Sequence, residues 1–369
     1  MSKVAVVRVE DTPVSVHEAF ELAGGLSLCV KEASSVLVKP NACLAIEKPG
    51  VMTTCEVVQA VVKEVKALEA EPVVGESAIH GTSTKEALEK SGIAEMCRKE
   101  NVQLIDFDLC ERKGVTIQYG DKTLSTYVAR PVLECDAVIS VPVMKTHAQT
   151  GVTLSLKNMK GCFPGDEKKK FHRWHLDKAI AGINALIKPC YAVIDGRVAM
   201  EGLGPIAGEP VDMNVLVCSP DLVAADTVAR ILMGFSREEV SHIELASNLG
   251  LGVSDIHSIE VVGEPLKSVM REFKKPWIEA ASFENITVVD GDACSGCVTE
   301  CMNYLLQNKE KLMSLGSVTV VLGPKGVKNL KDTGGKVLAF GNCVKNLDTD
   351  FIVEGCPPLG YEIGNVLQV

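Results

Sequence analysis

The chain has 369 residues, of which 46% are hydrophobic and 4% are aromatic, and its formal net charge is −10. This length suffices for two or three domains built mainly around small aliphatic side chains, and the acidic balance argues against nucleic acid as the main partner. No apolar run is long enough for a membrane span, and no signal peptide precedes the first strand-like residues. Together with fourteen cysteines, these features predict a cytoplasmic protein that keeps its thiols reduced.

Strand and helix patterns alternate along most of the chain. In chain order, we predict strands at 4–9, 35–38, 72–74, 102–106, 137–141, 192–194, 214–218 and 259–262, with edge β-structure at 122–128. We predict helices at 14–23, 54–67, 84–90, 183–187 and 222–233, and a pair of helices within 236–252. This alternation is typical of an α/β fold around a mostly parallel, doubly wound sheet.

The sequence predicts two domains. The first is an α/β core over residues 1–275 that carries a ligand cleft, and the second is a smaller, cysteine-rich α/β domain over residues 283–369. The carboxyl ends of parallel strands share one edge of a sheet, where ligands bind, and polar residues recur just after the predicted strands of the core. We therefore predict that five of them bind substrate: Lys39, Asn41, Glu76, Asp195 and Glu201.

The densest polar stretch, residues 145–158, supplies the predicted catalytic residues. Lys145 and His147 stand two apart, so on an extended segment both point to one face, and His147 is the preferred acid/base because imidazole titrates near neutral pH. Lys145 and Lys157 would hold an anion or, if desolvated, act as a base or an imine-forming amine. Asn158 would orient a carbonyl or carboxylate. The alternative is that both lysines pair with carboxylates and only bridge loops.

A basic segment follows at 168–170, with His172 and His175 close behind. We interpret it as a solvated face, with binding of an anionic substrate or a protein partner as the alternative.

Three cysteines of the C-terminal part each follow an apolar run that is typical of a buried strand. If these strands are parallel, the three thiols arrive at the same edge of the sheet. The runs and their cysteines are 286–289 with Cys294, 337–340 with Cys343, and 351–353 with Cys356.

Cys297 forms a C-x-x-C pair with Cys294, a spacing that lets both thiolates reach one metal centre. Soft sulfur ligands select zinc or an iron–sulfur cluster. Zinc ribbons usually present two such pairs, and this region has one, so we favour a 4Fe–4S cluster on Cys294, Cys297, Cys343 and Cys356. Cys301, one helical turn beyond Cys297, is a reserve ligand. The remaining alternative is a set of buried structural thiols.

Several motifs together resemble the domain-of-unknown-function family 362. They are Lys39-Pro40-Asn41, Gly75-Glu76-Ser77, Val143-Met144-Lys145-Thr146-His147, Thr153 to Asn158 with Gly161, Asp195-Gly196 and Glu201 to Pro205. The resemblance covers roughly residues 1–270 and implies an association with iron–sulfur chemistry, commonly through an appended ferredoxin-type module. This chain lacks the cysteine run of that module, so its cluster has to be argued from the C-terminal cysteines.

Two further likenesses are local or distant. Gly355-Cys356-Pro357-Pro358 resembles a cluster-ligand segment of hydrogenase small subunits and respiratory complex I. The core also resembles, distantly, the amino-terminal domain of nickel-pincer lactate racemases, an analogy of fold from which function does not follow.

Three functions fit these patterns. The favoured one is a redox protein whose cluster exchanges electrons with a small anionic ligand in the cleft or with a partner protein such as a ferredoxin. The second is a hydro-lyase or racemase that uses Lys145 and His147 beside a metal or an open cluster site. The third is a binding or assembly protein with a structural or sensing cluster. The oligomeric state stays open.

Overall fold

The computed structural model describes residues 1–173, 175–276, 284–330, 335–349 and 351–368. The chain forms two compact units. The first unit consists of Met1–Lys145, Val152–Met200 and Pro210–Phe273, and the second of Thr146–Gly151, Glu201–Glu209 and Lys274–Val369. The second unit therefore includes two short segments that precede its main part in the sequence.

The large sheet has ten strands among the described residues. The strands are β1 (Ser2–Arg8), β2 (Ser35–Pro40), β3 (Glu71–Glu76), β4 (Gln103–Asp106), β7 (Ala137–Val141), β8 (Val143–His147), β9 (Gly151–Thr153), β10 (Tyr191–Glu201), β11 (Glu209–Ser219) and β12 (Ile259–Gly263). A separate hairpin is formed by β5 (Arg112–Tyr119) and β6 (Lys122–Ala129).

Most neighbouring strands of this sheet run parallel. The order is β12-β1-β11-β10-β7-β2-β3-β4, with β8 paired to β10 and β9 paired to β8. The pairs β2–β3, β3–β4, β2–β7, β7–β10, β8–β10 and β1–β12 are parallel, whereas β1–β11 is antiparallel. The predicted α/β class with a mostly parallel sheet is confirmed.

The helices of this part pack where their sequences place an apolar stripe. They are α1 (Thr12–Leu22), α2 (Cys55–Ala67), α3 (Thr84–Lys90), α4 (Ile93–Lys99), α5 (Arg130–Glu134), α6 (Ser155–Asn158), α7 (Lys168–Arg173), α8 (Leu176–Ile187), α9 (Leu222–Leu232), α10 (Ser241–Asn248) and α11 (Leu266–Val269). In α2, five valines recur at helical spacing and are buried, which fixes the face that meets the core.

Two expectations for this part are wrong. The predicted helical pair within 236–252 is the single helix α10, since the residues before it form a bend in which Ser236 N donates to Glu239 Oε2 at 2.6 Å. The basic segment 168–170 starts the short helix α7 and is not a fully solvated face, because Lys168 is only 7% exposed.

The second unit contains a parallel sheet of four described strands. They are β13 (Ile286–Asp290), β14 (Val318–Leu322), β15 (Lys336–Phe340) and β16 (Phe351–Val353), in that order across the sheet. The helices are α12 (Ser295–Gln307), α13 (Lys309–Leu312), α14 (Gly326–Asn329) and α15 (Glu362–Leu367). The apolar side of α12 packs in a core with residues of β13, β14 and β15. Nowhere in the described parts of the chain is a helix long and apolar enough to span a bilayer.

Candidate functional site

The parallel sheet of the second unit explains why distant cysteines can meet. Cys294 follows β13 and is the N-cap residue of α12, so Cys297 falls in the first turn of that helix. Cys343 follows β15, and Cys356 follows β16, at the same edge of the sheet. The strands before these cysteines lie where the sequence predicts them, with β14 inserted between the first and second.

The loops after β15 and β16 are tied to each other by their backbones. Asn342 N donates to Gly355 O at 2.9 Å, and Gly355 N donates to the Asn342 side chain at 2.9 Å. Gly341 (φ +105°) adopts a conformation that favours glycine, and a Cβ atom at this position would stand 3.3 Å from Cys297 Sγ. The start of α12 therefore meets these two loops at the sulfur of Cys297.

The thiols also influence one another electrostatically. The pKa of Cys297 is raised by its hydrogen bond with Cys294, by burial, and by repulsion from Cys294, Cys343 and Cys356. Cys297 is 7% exposed, whereas Cys343 and Cys356 are exposed. The charge of each of the other three predicted ligands therefore affects Cys297. Two of the four thiols, those of Cys343 and Cys356, are exposed to solvent.

The spacing of these thiols bears on what they can hold. A zinc ion with Zn–S bonds of about 2.3 Å needs its sulfurs roughly 3.8 Å apart. Among the residues that the structure describes, no three His, Cys, Asp or Glu side chains are placed to hold a single metal ion. A cubane iron–sulfur cluster is larger than one ion and would hold its four cysteine ligands farther apart.

Cys301 differs from the other four cysteines of this region. It is fully buried one turn along α12 and packs in the apolar core of the unit. Burial, followed by repulsion from Asp290, raises its pKa, as expected for a structural thiol.

In the first unit, three of the predicted site residues form one buried network. Lys39 Nζ lies 2.7 Å from Glu76 Oε2 and 3.3 Å from Asn158 Oδ1, and it also donates to Pro40 O at 2.7 Å. The amide of Asn158 donates to Lys39 O at 2.9 Å and to Ser140 Oγ at 3.2 Å. These groups satisfy one another and link β2, β3 and α6.

A second buried network lies beside the end of β3. Lys168 Nζ donates to Ser77 O, to Ser77 Oγ (2.9 Å) and to Ala78 O (2.7 Å), and burial lowers the pKa of Lys168 to about 8. Ser77 Oγ in turn donates to Asp108 Oδ1 at 2.8 Å. Lys168 was not predicted as a site residue, because three consecutive lysines usually indicate a solvated segment.

Lys145 and Lys157 do not make the carboxylate pairs that the bridging alternative requires. Lys145 is 1% exposed and donates to Val51 O at 2.6 Å and to Cys43 Sγ at 3.4 Å. Lys157 is partly buried, and its Nζ lies 3.5 Å from Thr153 Oγ1. Within the described ranges, neither ammonium has a carboxylate within 4.0 Å.

Burial and two neighbouring lysines disfavour the protonated form of Lys157. Desolvation, then repulsion from Lys160 and Lys145, lowers the pKa of Lys157 well below its ordinary value, against smaller opposite effects of Cys43 and Asp177. Lys145, Lys157 and Lys160, which we call the lysine cluster, thus belong to one positively charged region of the first unit. Lys160 was not predicted, although its spacing of three residues from Lys157 on a helical segment could have indicated it.

Asp195 and Asn41 make hydrogen bonds that involve backbone amides in this structure. The Asp195 carboxylate accepts hydrogen bonds from Thr54 N (2.7 Å) and Arg197 N (3.0 Å). The first of these bonds caps the start of α2. Asn41 N donates to Thr53 Oγ1 at 2.8 Å, while Asn41 Oδ1 is buried and has no hydrogen-bond partner among the described residues.

His147 and Glu201 belong to the second unit, because the division of the chain falls within β8 and at the end of β10. His147 is 2% exposed, and its Nδ1 accepts Gln149 N at 3.2 Å and Thr150 N at 3.3 Å. A ring nitrogen that accepts hydrogen bonds from two backbone amides carries no proton. The proton of the neutral imidazole is therefore on Nε2. Glu201 accepts Lys274 N at 3.1 Å.

Comparison with known proteins addresses the family. The domain of unknown function DUF362 matches residues 36–230, which is more than half of the 369 residues. The chain belongs to the DUF362 family. The matched range of this DUF362 protein contains the lysine cluster and both buried networks, whereas all four predicted cluster ligands lie beyond it.

Comparisons with individual proteins give a similar sequence and a similar solved structure. A thylakoid-associated protein of Synechocystis sp. is 28% identical to this DUF362 protein over 273 residues, covering 71% of this chain and 82% of the relative. Among solved structures, the lactate racemase apoprotein from Thermoanaerobacterium thermosaccharolyticum is similar with a TM-score of 0.46 and 10% identity, covering 96% of this chain and 87% of that chain.

Proposed function

We propose that this DUF362 protein binds one 4Fe–4S cluster through Cys294, Cys297, Cys343 and Cys356 and exchanges electrons with a small anionic molecule or a partner protein such as a ferredoxin. The observation that carries the proposal is the meeting of the β15 and β16 loops with Cys297, the first-turn cysteine of α12. A reducing, cytosol-like compartment would suit both such a cluster and the fourteen cysteines.

The residues present fit this group. Four thiols at one sheet edge supply the soft ligands that iron requires, and Gly341 leaves room beside Cys297 where any side chain would intrude. When bound, the cluster would supply one-electron redox chemistry, with a potential set by charge, hydrogen bonds and exposure. The Asn342–Gly355 backbone pair would hold the Cys343 and Cys356 loops together, and Cys301 would support α12 from the core.

The anionic molecule would bind beside Lys145 and Lys157 in the first unit. An ammonium has three N–H donors, and Lys145 uses two of them, on Val51 O and Cys43 Sγ. Burying a positive charge without an opposite charge is costly. A carboxylate or phosphate group of a ligand would provide that opposite charge, which supports an anion site here.

Metal analysis tests the cluster. Protein prepared without oxygen is expected to contain about four irons and four sulfides per chain, the content of one cube. Stoichiometric zinc without sulfide would contradict the proposal.

Cysteine variants test the ligand set. Cys294→Ala, Cys297→Ala, Cys343→Ala and Cys356→Ala are each expected to lose the cluster absorbance, because each removes a thiolate ligand. Cys301→Ala is the matched control and should keep both iron and absorbance, since its thiol lies in the core. Loss of iron only in Cys301→Ala would reassign the ligands.

A further inference from the structure

Lys145 and Cys43 make a buried contact between an amine and a thiol. Lys145 Nζ lies 3.4 Å from Cys43 Sγ, and the two atoms lie 2.6 Å and 3.6 Å from the same carbonyl oxygen, Val51 O. The two side chains are 102 residues apart in the sequence, so the fold alone brings them together. They are only 1% and 8% exposed, and the close packing around them keeps the two groups next to each other.

The ammonium beside Cys43 bears on the chemistry of its sulfur. Of the two groups that Lys145 contacts among the described residues, Val51 O and Cys43 Sγ, only the thiol can become negatively charged. A lysine ammonium next to a cysteine stabilises the thiolate, which is the form that peroxides oxidise. Cys43 also packs with the apolar side chains of Val51 and Met200, which shield the sulfur from bulk water. Its 8% exposure leaves access for a molecule as small as hydrogen peroxide.

We propose that Cys43 and Lys145 are an oxidation-sensitive modification site, at which hydrogen peroxide joins the two side chains through a sulfur–nitrogen bond. The separation of 3.4 Å lies within the range of about 3–3.5 Å from which two atoms react when they are held in place. This cross-link goes beyond the proposed function, and its formation requires neither the iron–sulfur cluster nor a bound anion.

The reaction consumes one molecule of peroxide. The Cys43 thiolate takes one oxygen atom and becomes a sulfenic acid, and the hydroxide that leaves takes a proton from the Lys145 ammonium to form water. The Lys145 nitrogen then attacks the sulfur, and the sulfenic hydroxyl leaves with one hydrogen of the amine as a second water. Sulfur is oxidised and peroxide is reduced. Two molecules of a small thiol reverse the reaction, returning the cysteine and the lysine and forming a disulfide of their own.

The cross-link would also change the charge of the first unit. A nitrogen bonded to sulfur in this way is not protonated at neutral pH, so the positive charge of Lys145 would be lost. This consequence rests on the proposed function, in which Lys145 binds an anionic molecule. Oxidation would then weaken anion binding, and reduction would restore it.

Mass spectrometry of the full chain tests the cross-link. The folded protein is treated with hydrogen peroxide at pH 7, the remaining thiols are blocked, and the chain is digested without reductant. A pair of peptides joined through Cys43 and Lys145 is expected at their summed mass less two hydrogens, and dithiothreitol should separate them. Peroxide treatment in urea should give at least about tenfold less of this pair, because the two side chains are then no longer held together.

Variants test which atoms react. Cys43→Ala should abolish the linked pair. Lys145→Arg keeps the positive charge but lacks the amine, so the Cys43 sulfenic acid should persist and react with dimedone. Cys110→Ala is the matched control and should keep the link, because the Cys110 thiol contacts the backbone carbonyls of Phe107 (3.6 Å) and Glu111 (3.4 Å) and no lysine among its described contacts.

Three results in the native chain would overturn the inference. Cys43 could be oxidised further to a sulfinic acid without forming the link, it could stay reduced while Cys110 is oxidised, or the link could form equally in urea. Each is read from the same digest and needs no variant to fold.

Inorganic phosphate separates the cross-link from the anion site. Phosphate is expected to bind the reduced chain at least about tenfold more tightly than the cross-linked chain, since a buried positive charge has been lost. If the link forms but phosphate binds neither chain, the anion site is refuted and the link stands. If phosphate binds and no link forms, the link is refuted and the anion site stands. Iron and sulfide content judge the cluster separately.

Discussion

At the scale of single residues, Lys39 and Glu76 show what a buried ion pair contributes. Their side chains are 0% and 1% exposed, and their remaining hydrogen-bonding capacity is used on Pro40 O, Ala42 N, Ser77 N and Asn158. Such a pair contributes little net stability over an apolar replacement, but a single charge left in this position would be uncompensated.

We therefore expect Lys39→Met and Glu76→Gln to lower the free energy of unfolding by about 3–5 kcal/mol each, as measured by urea denaturation. The double variant Lys39→Met/Glu76→Gln should recover part of the loss because no unpaired charge remains. Lys99→Met is the control, since its ion pair with Glu95 is exposed to solvent and should contribute almost nothing to stability. Additive losses in the double variant would contradict this account.

Lys168 gives a pH dependence whose sign follows from its pKa. Burial lowers the pKa of Lys168 from 10.5 to about 8 in the folded protein. Between these values the unfolded chain binds more protons, so this residue increases the free energy of unfolding as pH rises from 8 to 10, by up to roughly 3 kcal/mol. Urea denaturation at several pH values should show this rise in the native chain and not in Lys168→Met; equal slopes would disprove it.

The identity of the site residues was more predictable than their partners. The cysteine ligand set followed from one C-x-x-C pair and three strand ends, and it remains a prediction. The pairing of Lys39 with Glu76 depends on β2 and β3 being neighbours in register, which alternation of strands and helices does not fix. The alternative in which Lys145 and Lys157 pair with carboxylates is not what the structure has, because Lys145 donates to Val51 O and Cys43 Sγ and the Lys157 ammonium lies near Thr153 Oγ1.

At the scale of elements, α2 illustrates a helix whose start is stabilised from elsewhere in the chain. Its N-cap residue, Thr54, makes no side-chain capping bond, and Thr54 N donates instead to Asp195 on β10 at 2.7 Å. A buried carboxylate at a helix N-terminus satisfies an amide that would otherwise lack a partner.

Asp195→Ala should lower the free energy of unfolding by about 2 kcal/mol, because two partly buried amides, Thr54 N and Arg197 N, lose their acceptor. Asp11→Ala is the control: it removes the exposed cap of α1, in which Asp11 Oδ1 accepts Val14 N at 3.1 Å, and should cost about 1 kcal/mol. Thermal and urea unfolding measure both. If Asp195→Ala lowers the free energy of unfolding less than Asp11→Ala does, Asp195 is not mainly a helix cap. Its predicted role in ligand binding would then be favoured.

Elements with apolar sequences were predictable, and elements with polar ones were not. Strand β2 is buried and apolar over most of its length, so its pattern is unambiguous. Strand β8 is buried at all five positions but carries Lys145, Thr146 and His147, a composition typical of a loop. The first strand of the hairpin, β5, was missed because it is largely exposed and lacks an apolar run. Buried polar strands of this kind are expected where a protein binds ligands.

At the scale of the whole molecule, the chain contributes to its second unit from three places. Ala148 and Leu203 pack against the core around α12, although both lie far before residue 283, where the sequence suggested that the C-terminal domain begins. A composition change along the chain cannot reveal such segments, because each is only six to nine residues long.

The proposed iron–sulfur cluster leads to a prediction about the stability of the second unit. Structural metal–thiolate sites contribute on the order of 10 kcal/mol to folding, so the second unit should depend on the cluster far more than the first. Removing iron by chelation, or changing Cys343 to Ala, should accelerate amide exchange in β14 by about tenfold or more and leave β2 and β7 unchanged. Hydrogen exchange read by mass spectrometry measures both sets of strands in one sample. Cys301→Ala should retain iron. In this variant, the β14 amides should exchange more slowly in the iron-loaded form than in the iron-free form. Equal exchange of β14 with and without iron would mean that the thiols do not hold a group that supports the fold.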